Sequence, residues 1–241
     1  MNLKKKIASA NYRVKQLFFE KFAMPNVVFD KISKSILKKY LPPNPVILDC
    51  GAHDGTDTAQ LAKMFSKGIV YAFEPVDALY QKLKKVSLSS SNIKCFQLAL
   101  ADIDGTMDFY VSEGSSDASS SLLQPKDHLT DHPDTFFKNK ISVKTNTLDT
   151  WAVNNHVSKI DLLWLDMQGY ELNMLMASPA ILQTVTLIHT EVSTKETYKG
   201  VAQYIAYRNF LESKGFKVLI EAIPNGWDMG NVLFIKNTIA D

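Results

Sequence analysis

Cysteine and long apolar runs are both scarce in this chain of 241 residues. Its two cysteines, Cys50 and Cys95, lie in apolar, strand-like runs, which favours reduced core residues over a disulfide or a metal pair. No apolar run approaches the roughly 18–20 residues that a membrane span requires. Polar residues also interrupt the stretch after the basic start, where a secretory signal needs an apolar segment. We therefore predict a cytoplasmic protein.

Acidic residues are scarce at the start of the chain. Residues 1–40 hold ten Lys or Arg and two acids, a net charge of +8, whereas the whole chain carries only +2. Such an asymmetry attracts an anionic substrate, another subunit or a membrane surface, although a solvated helix face is the simpler alternative. We predict no membrane span, but a possible peripheral contact with a membrane or a subunit through these basic residues.

Two helices are predicted in the basic segment. Apolar residues recur at helical spacing over residues 5–22, and again at Val28, Ile32, Ile36 and Tyr40. Prolines at positions 42, 43 and 45 then form a stiff junction. We predict that residues 1–42 form an N-terminal helical extension and that residues 43–241 form the main domain.

From residue 46 onward, short apolar runs alternate with helical patterns. The runs cover residues 46–50, 69–73, 93–98, 107–111, 141–144, 162–165, 186–190, 216–222 and 232–235. Strands that alternate with helices favour βαβ units, so we predict an α/β fold with a doubly wound, mostly parallel sheet. A serine-rich stretch from Ser112 to Pro133 breaks this rhythm. Such a long segment is typical of a lid, of a binding loop or of disorder; we predict a substrate or cofactor loop.

Polar side chains follow several of the predicted strands at their carboxyl ends. Asp49, Glu74, Asp102 and Asp166 each end or follow such a strand. His189 and Glu191 lie toward the end of the next one. In open α/β sheets, ligands bind outside the carboxyl ends of the strands. The sequence therefore predicts a site at this edge of the sheet.

Glycine is absent before Gly51, which makes the turn after the first buried strand conspicuous. Gly51 and Gly55 give the spacing G-x-x-x-G, with His53 where the dinucleotide fingerprint G-x-G-x-x-G has glycine. The phosphate-binding motif G-x-x-x-x-G-K-[S/T] is absent as well. Glu74 follows the next strand, where a carboxylate can accept hydrogen bonds from both hydroxyls of a ribose. Alternatively, Glu74 is a helix N-terminal acid before Pro75.

These motifs carry a family resemblance. The Asp49-to-Gly55 turn followed by Ala72-Phe73-Glu74-Pro75 resembles the class I S-adenosylmethionine-dependent methyltransferases. The wider set, over residues 44–237, resembles the FkbM family. It consists of DCGAHDGTDT (49–58), YAFEP (71–75), LALAD (98–102) with Gly105, SSSL (119–122), TLDTW (147–151), DLLWLDMQGYE (161–171), HTEVS (189–193), and GF (215–216) with GNVLFIK (230–236). Gln168 stands where many relatives carry Glu.

The resemblance implies a Rossmann-like, seven-stranded sheet whose last strand is antiparallel. It also implies methyl transfer from S-adenosylmethionine, mostly to oxygen on sugars, glycans or secondary metabolites. Gly51, Ala52 and Gly55 would pack against the methionine part of this cofactor. The full set of implied cofactor-binding residues is Asp49 (amino group), Gly51, Ala52, His53, Gly55, Thr56, Glu74 (ribose), Pro75, Ala101 and Asp102 (adenine), and Asp166.

A hydroxyl acceptor needs a base, or a metal that lowers its pKa. Asp166, His189 and Glu191 are the candidate catalytic residues, because positions 189 and 191 share one face of a strand. The simpler alternatives are a structural Asp166, a core histidine at 189 and a Glu191 that accepts from backbone amides. A metal held by these three residues is the weaker hypothesis, and we predict none.

Two other functions compete with methyl transfer to a small molecule or glycan. Gln168 and the basic extension are compatible with a non-catalytic, cofactor-binding or assembly protein of the same fold. A nucleic-acid methyltransferase is less favoured, because the basic residues lie away from the acidic strand ends and no N-P-P-Y-like motif follows Leu165. We therefore predict an O-methyltransferase that does not bind nucleic acid.

Overall fold

The computed structural model describes residues 27–28, 30–127, 129 and 133–239; the helix predicted over residues 5–22 lies outside them. The second predicted helix is wrong over most of its length. Strands β1 (Val27–Val28) and β2 (Lys31–Ile32) pair antiparallel, and a 3₁₀ turn (Lys34–Ile36) leads into the short helix α1 (Leu37–Tyr40). β-Branched Val and Ile favour strands, and Ile32 is buried beside Leu233 in the core of the main domain.

A seven-stranded sheet forms the centre of the molecule. Its strands are β3 (Val46–Cys50), β4 (Ile69–Phe73), β5 (Ile93–Phe96), β9 (Leu162–Leu165), β10 (Leu187–Ser193), β11 (Phe216–Ala222) and β12 (Met229–Lys236). They lie in the order β11-β12-β10-β9-β3-β4-β5. β12 pairs antiparallel with both of its neighbours, and the other pairs in the sheet are parallel. The predicted doubly wound fold with an antiparallel last strand is confirmed.

Helices cover both faces of this sheet. They are α2 (Thr56–Met64), α3 (Asp77–Ser87), α4 (Leu148–Asn154), α5 (Glu171–Met176), α6 (Pro179–Leu182) and α7 (Tyr204–Ser213). One face packs around Trp151, which makes edge-to-face contacts with Phe73 and Phe96. The other face packs Ile47 and Trp164 against α2. The central strands are buried on both faces, which explains why they read as unbroken apolar runs.

A second, three-stranded sheet lies outside the parallel one. It contains β6 (Ala99–Leu100), β7 (Gly105–Gly114) and β8 (Thr135–Asn146), and β7 pairs antiparallel with β8. The runs at 107–111 and 141–144 are thus strands, as predicted, but they belong to a longer hairpin. Its pairing continues beyond the apolar residues to Gly114 and Thr135, so the loop predicted from Ser112 to Pro133 is shorter than expected.

Neither cysteine forms a disulfide, and Cys50 is buried. Among the helices that the structure describes, none is long and apolar enough to cross a membrane.

Candidate active site

The carboxyl ends of three neighbouring strands are tied together by backbone hydrogen bonds. The amides of Gly51 and Ala52, just after β3, both donate to the carbonyl of Phe73 in β4, at 3.1 and 2.9 Å. On the other side of β3, the amide of Asp166 donates to the carbonyl of Cys50 at 2.9 Å. The structure thereby brings together Gly51, Glu74 and Asp166, which the sequence placed at successive strand ends.

Positive φ angles shape the turn after β3. Gly51 has φ +85°, and a Cβ there would lie 1.9 Å from the carbonyl oxygen of Asp166. His53 also has a positive φ, of 51°. Gly55 (φ +86°) caps the N-terminus of α2, and a Cβ there would lie 3.0 Å from Leu83 and 3.1 Å from Val86 of α3. Residues 51 and 55 need glycine for different reasons: the first lets two loops meet, and the second lets two helices meet.

Glu74 lies at the end of β4 with its carboxylate held by two backbone amides. His53 N donates to Oε2 at 3.0 Å and Val76 N donates to Oε1 at 2.7 Å. The side chain is buried, and this burial raises its pKa to about 7, against the lowering effect of the two hydrogen bonds. Each carboxylate oxygen retains the capacity to accept a further hydrogen bond.

A cleft opens next to Glu74, which we call the first cleft. Gly51, His53, Glu74, Pro75 and Asp166 line it on the strand side. Apolar side chains complete the wall, namely Leu79, Leu98, Phe109 and Leu122. The cleft has a cavity volume of about 60 Å³, and about 570 Å³ of space free of atoms when the solvent at its open mouth is counted. Small-molecule sites commonly offer several hundred Å³. A bound nucleoside must therefore extend into the open mouth of the cleft or displace some of the apolar side chains that line it.

A segment that we call the serine loop, residues 115–122, separates this cleft from a second one. Asp117, Ala118, Ser120 and Leu122 face the first cleft, and Ser116, Ala118 and Ser119 face the second. Side-chain contacts join the loop to both neighbouring turns: His53 Nε2 lies 3.0 Å from Asp117 Oδ1, and the Ser121 hydroxyl donates to the carbonyl of Gln168 at 2.8 Å. The stretch that the sequence predicted as a binding loop therefore borders both clefts.

The second cleft is wider, about 560 Å³, and meets the first at three residues. Ala118, Asp166 and Gln168 line both. Glu191, at the end of β10, lines only the second, and so does Trp227 in the β11–β12 turn. A ligand in each cleft would thus meet the other at Asp166.

Gln168 joins the two acidic side chains at this meeting point. Its Nε2 donates to Asp166 Oδ1 at 2.8 Å and to Glu191 Oε2 at 3.1 Å, and its Oε1 accepts from the Tyr198 hydroxyl at 3.2 Å. Tyr198 also donates to the carbonyl of Ser119 at 2.7 Å. One amide therefore positions two carboxylates and connects them to the serine loop.

The carboxyl groups around Gln168 titrate above their ordinary range. Asp166 is exposed at the rim of the clefts, yet the protein around its carboxyl group desolvates it and raises its pKa, and the hydrogen bond from Gln168 opposes this shift. Burial also raises the pKa of Glu191 well above its usual value, and the neighbouring Asp166 and Glu171 raise it further. Glu171 accepts from Met167 N at 2.8 Å, and burial raises its pKa to about 7. Shifted pKa values of this kind cluster at functional sites.

Several predicted cofactor residues lie behind the first cleft and do not line it. Asp49 is buried and accepts from the Thr58 hydroxyl at 2.5 Å, and burial raises its pKa to about 7. Ala52 packs against Leu83. The other members of this group are Gly55, Thr56, Ala101 and Asp102, none of which lines the cleft. Residues 98–100 line it where Ala101 and Asp102 were expected.

His189 is the predicted residue whose position contradicts its expected role. Its ring stacks on Trp164 with centroids 3.6 Å apart, and Lys34 Nζ lies 4.7 Å from the centre of the Trp164 ring. It lines neither cleft. Burial lowers its pKa to about 3, and Nδ1 has no partner among the residues that the structure describes. His189 is a neutral core histidine, so the expectation that it acts as a base is withdrawn.

Sequence reasoning missed several residues that the structure brings to the site. Tyr170 donates to Asp102 Oδ1 at 2.7 Å and lines the first cleft. Tyr198 and Trp227 reach the site from segments without a readable motif, whereas Asp117 lies in the serine-rich stretch that was predicted as a binding loop. Gln168 gave a second sequence signal, because it stands out against the Glu of many relatives.

The fold is that of a class I methyltransferase, and comparison with known proteins gives the family. The model of the FkbM methyltransferase domain matches residues 49–218. The 2-O-methyltransferase NoeI of Sinorhizobium fredii is 32% identical over 213 residues, which cover 86% of each chain. The chain belongs to the FkbM methyltransferase family, as its motifs indicated, and it is a methyltransferase.

Two further proteins resemble the chain more distantly. The AMB antimetabolite synthetase AmbE of Pseudomonas aeruginosa is 23% identical over 231 residues, which cover 83% of this chain and 11% of that protein. The crystal structure of an FkbM methyltransferase from Methylobacillus flagellatus superposes with a TM-score of 0.54 at 14% identity, over 84% of this chain and 46% of that one. This superposition supports the fold.

Proposed function

We propose that this methyltransferase transfers a methyl group from S-adenosylmethionine to a hydroxyl oxygen of a small acceptor, a sugar, a glycan or a secondary metabolite. The observation that carries the proposal is the meeting of two clefts at Asp166 and Gln168. One cleft has the features of a cofactor site, and the other is open to an acceptor. Oxygen as the acceptor atom is supported by the relative named a 2-O-methyltransferase.

The hydrogen-bond acceptors and the apolar walls of the first cleft fit S-adenosylmethionine. Glu74 accepts one backbone amide on each oxygen, so the remaining lone pairs serve the two ribose hydroxyls. Leu98, Phe109 and Leu122 form an apolar wall for the adenine ring of the cofactor. The backbone of Gly51 lines the cleft where the methionine part would lie. When bound, this cofactor supplies a methyl group already activated on a sulfonium.

Asp166 is the base in this proposal. It lies where the clefts meet, and its raised pKa brings a carboxylate closer to the affinity for protons that a base needs near neutral pH. It takes the proton of the acceptor hydroxyl as that oxygen takes the methyl. Gln168 and Glu191 position Asp166, and the serine loop excludes water. Holding the two reactants in line accounts for much of the acceleration.

A methyl-transfer assay on a panel of glycosides and hydroxylated metabolites tests the proposal. Release of S-adenosylhomocysteine and an acceptor heavier by one methylene are the expected products. Asp166→Asn should keep the cofactor affinity and lower turnover about 100-fold or more. Asp108→Asn, at an exposed position of β7, is the matched control. No binding of S-adenosylmethionine in calorimetry would contradict the cofactor, and unchanged turnover of Asp166→Asn would exclude it as the base.

We also propose that the enzyme is cytoplasmic and that its basic N-terminal segment contacts an anionic surface peripherally. Lys34, Lys38 and Lys63 line an open groove on the side of α2, and residues 1–40 carry +8. Sedimentation with vesicles that contain anionic lipid, at low and high salt, tests this contact. Binding that is equal on neutral vesicles, or insensitive to salt, would contradict it.

A further inference from the structure

Trp227 occupies a distinctive place in the second cleft. It lies in the turn between β11 and β12 and is 49% exposed, although it is a large apolar side chain. A single exposed aromatic side chain needs no explanation by itself. Trp227, however, lines the same cleft as the proposed base Asp166, and its indole offers a flat apolar surface with a polar edge.

The turn that carries Trp227 is anchored to the end of β10. The amide of Thr194 and the hydroxyl of Ser193 donate to the carbonyl of Asp228, at 2.7 and 3.2 Å. Lys195 Nζ lies 2.7 Å from Asp228 Oδ2, and Trp227 N donates to the carbonyl of Pro224 at 3.0 Å. Because these contacts fix the turn to the strand that carries Glu191, the indole is held at a defined place relative to the acidic residues.

Carboxyl groups dominate the charge of the cleft. Asp30, Asp166, Glu191 and Asp228 line it, and the one Lys among the described lining residues is Lys195, which is ion-paired with Asp228. An anionic group in this cleft would meet these acidic side chains, and among the described lining residues no second cation is present to compensate them. Like charges at close range repel. Hydroxyl and ammonium groups, in contrast, donate hydrogen bonds to carboxylates.

We propose that the second cleft is an acceptor subsite for an uncharged or amino sugar, whose ring packs on the Trp227 indole while its hydroxyls donate to the acidic side chains. This assignment deepens the proposed function and rests on it. It excludes sugar phosphates, uronic acids and sulfated sugars as acceptors. Trp227 is a specificity-determining residue in this arrangement, whereas Asp166 remains the base.

Matched acceptors that differ only in charge test the assignment. Methyl glycosides of glucose, glucosamine and glucuronic acid are compared with the full-length chain in the presence of S-adenosylhomocysteine, by saturation-transfer NMR, and with S-adenosylmethionine, by product release. We expect binding of the neutral and amino sugars and at least tenfold weaker binding of the uronate. Equal binding of the uronate, or no binding of either uncharged or amino glycoside, would overturn the assignment.

Variants at position 227 separate its role from a general effect on the fold. Trp227→Ala should raise the KM for the acceptor about tenfold with little change in kcat and none in the affinity for S-adenosylmethionine. Trp227→Phe should restore most of this loss. Ile205→Ala, at another exposed apolar position, 74% exposed on α7, is the control. An unchanged KM in Trp227→Ala would contradict the role of the indole.

The two proposals fail in different ways. Neutral glycosides that bind through Trp227 but are never methylated would contradict the proposed function and leave the subsite standing. Methyl transfer that proceeds equally well to the uronate, or is indifferent to Trp227→Ala, would overturn the subsite while the proposed function stands.

Discussion

A Cβ atom at Gly51 would lie 1.9 Å from the carbonyl oxygen of Asp166, so only glycine allows these two strand ends to meet. The contact joins the turn after β3 to the residue proposed as the base. Asp166 N in turn donates to Cys50 O at 2.9 Å. The position of the base relative to the first cleft therefore depends on a residue whose side chain is a single hydrogen atom.

Gly51→Ala should disrupt this contact. The new methyl group cannot be accommodated without a backbone shift, and φ +85° is strained for alanine, so we expect a loss of stability of roughly 2 kcal/mol or more. Gly200→Ala is a matched control, since Gly200 has φ +77° but open space around its Cα; it should cost about 1 kcal/mol. Urea unfolding measures both. Equal losses would show that the backbone angle, and not the approach to Asp166, sets the need for glycine.

The sequence predicted the strand ends well because their signal is local. A buried parallel strand reads as an apolar run, and the first polar residue after it marks the carboxyl end. Asp49, Glu74 and Asp166 follow from this rule alone, and Gly51 follows from the glycine spacing of the turn after Asp49. Tyr198 and Asp117 do not, because their contacts with Gln168 and His53 join residues 30 or more positions apart along the chain. The contact of Gln168 with Glu191 spans 23 positions. Such contacts leave no periodic pattern.

His189 shows the limit of predictions from the alternation of side chains along a strand. It does share a face of β10 with Glu191, as the spacing of two residues predicted. Two residues along a strand, however, are about 6.6 Å apart. Glu191 reaches the cleft, while His189 lies deeper, pressed against the ring of Trp164. The alternation predicts which face of the sheet a side chain lies on, but it does not predict how far the side chain lies from the carboxyl edge of the sheet.

Glu74→Ala should weaken the binding of S-adenosylmethionine strongly. Loss of a carboxylate that accepts two ribose hydroxyls removes hydrogen bonds worth about 1.5–3 kcal/mol each when one partner is charged. We expect the Kd in calorimetry to rise by at least tenfold, with a smaller rise for Glu74→Gln, which keeps one acceptor oxygen. Asp108→Asn should bind as the wild type does. An unchanged Kd in Glu74→Ala would remove this residue from the cofactor site.

Gln168→Glu should shift the pH dependence of turnover upward. The hydrogen bond from the Gln168 amide lowers the pKa of Asp166 and of Glu191. A carboxylate in its place removes that donor and adds a negative charge, so Asp166 would lose its proton only at higher pH. We expect lower activity at neutral pH that recovers as the pH is raised. A pH–rate profile measures the shift, with Gln124→Glu as a control outside both clefts. A profile that moves to lower pH would contradict the arrangement around Gln168.

Glu171→Gln should change how stability depends on pH. Burial raises the pKa of Glu171 from 4.5 to about 7 in the folded protein, so the folded state holds this proton more tightly than the unfolded state. Its contribution to stability is therefore present below about pH 4.5 and is lost as the pH rises to about 7. The variant lacks this loss, although it also weakens the hydrogen bond from Met167 N at every pH.

We expect the stability of Glu171→Gln relative to the wild type to increase by up to roughly 3 kcal/mol between pH 4.5 and pH 8. Urea unfolding at several pH values measures this difference. His189, whose lowered pKa acts in the opposite direction, is present in both proteins and cancels. Glu113→Gln, which removes a carboxylate from an exposed position of β7, is the control. A constant difference for Glu171→Gln would mean that its carboxyl ionises alike in the folded and unfolded states.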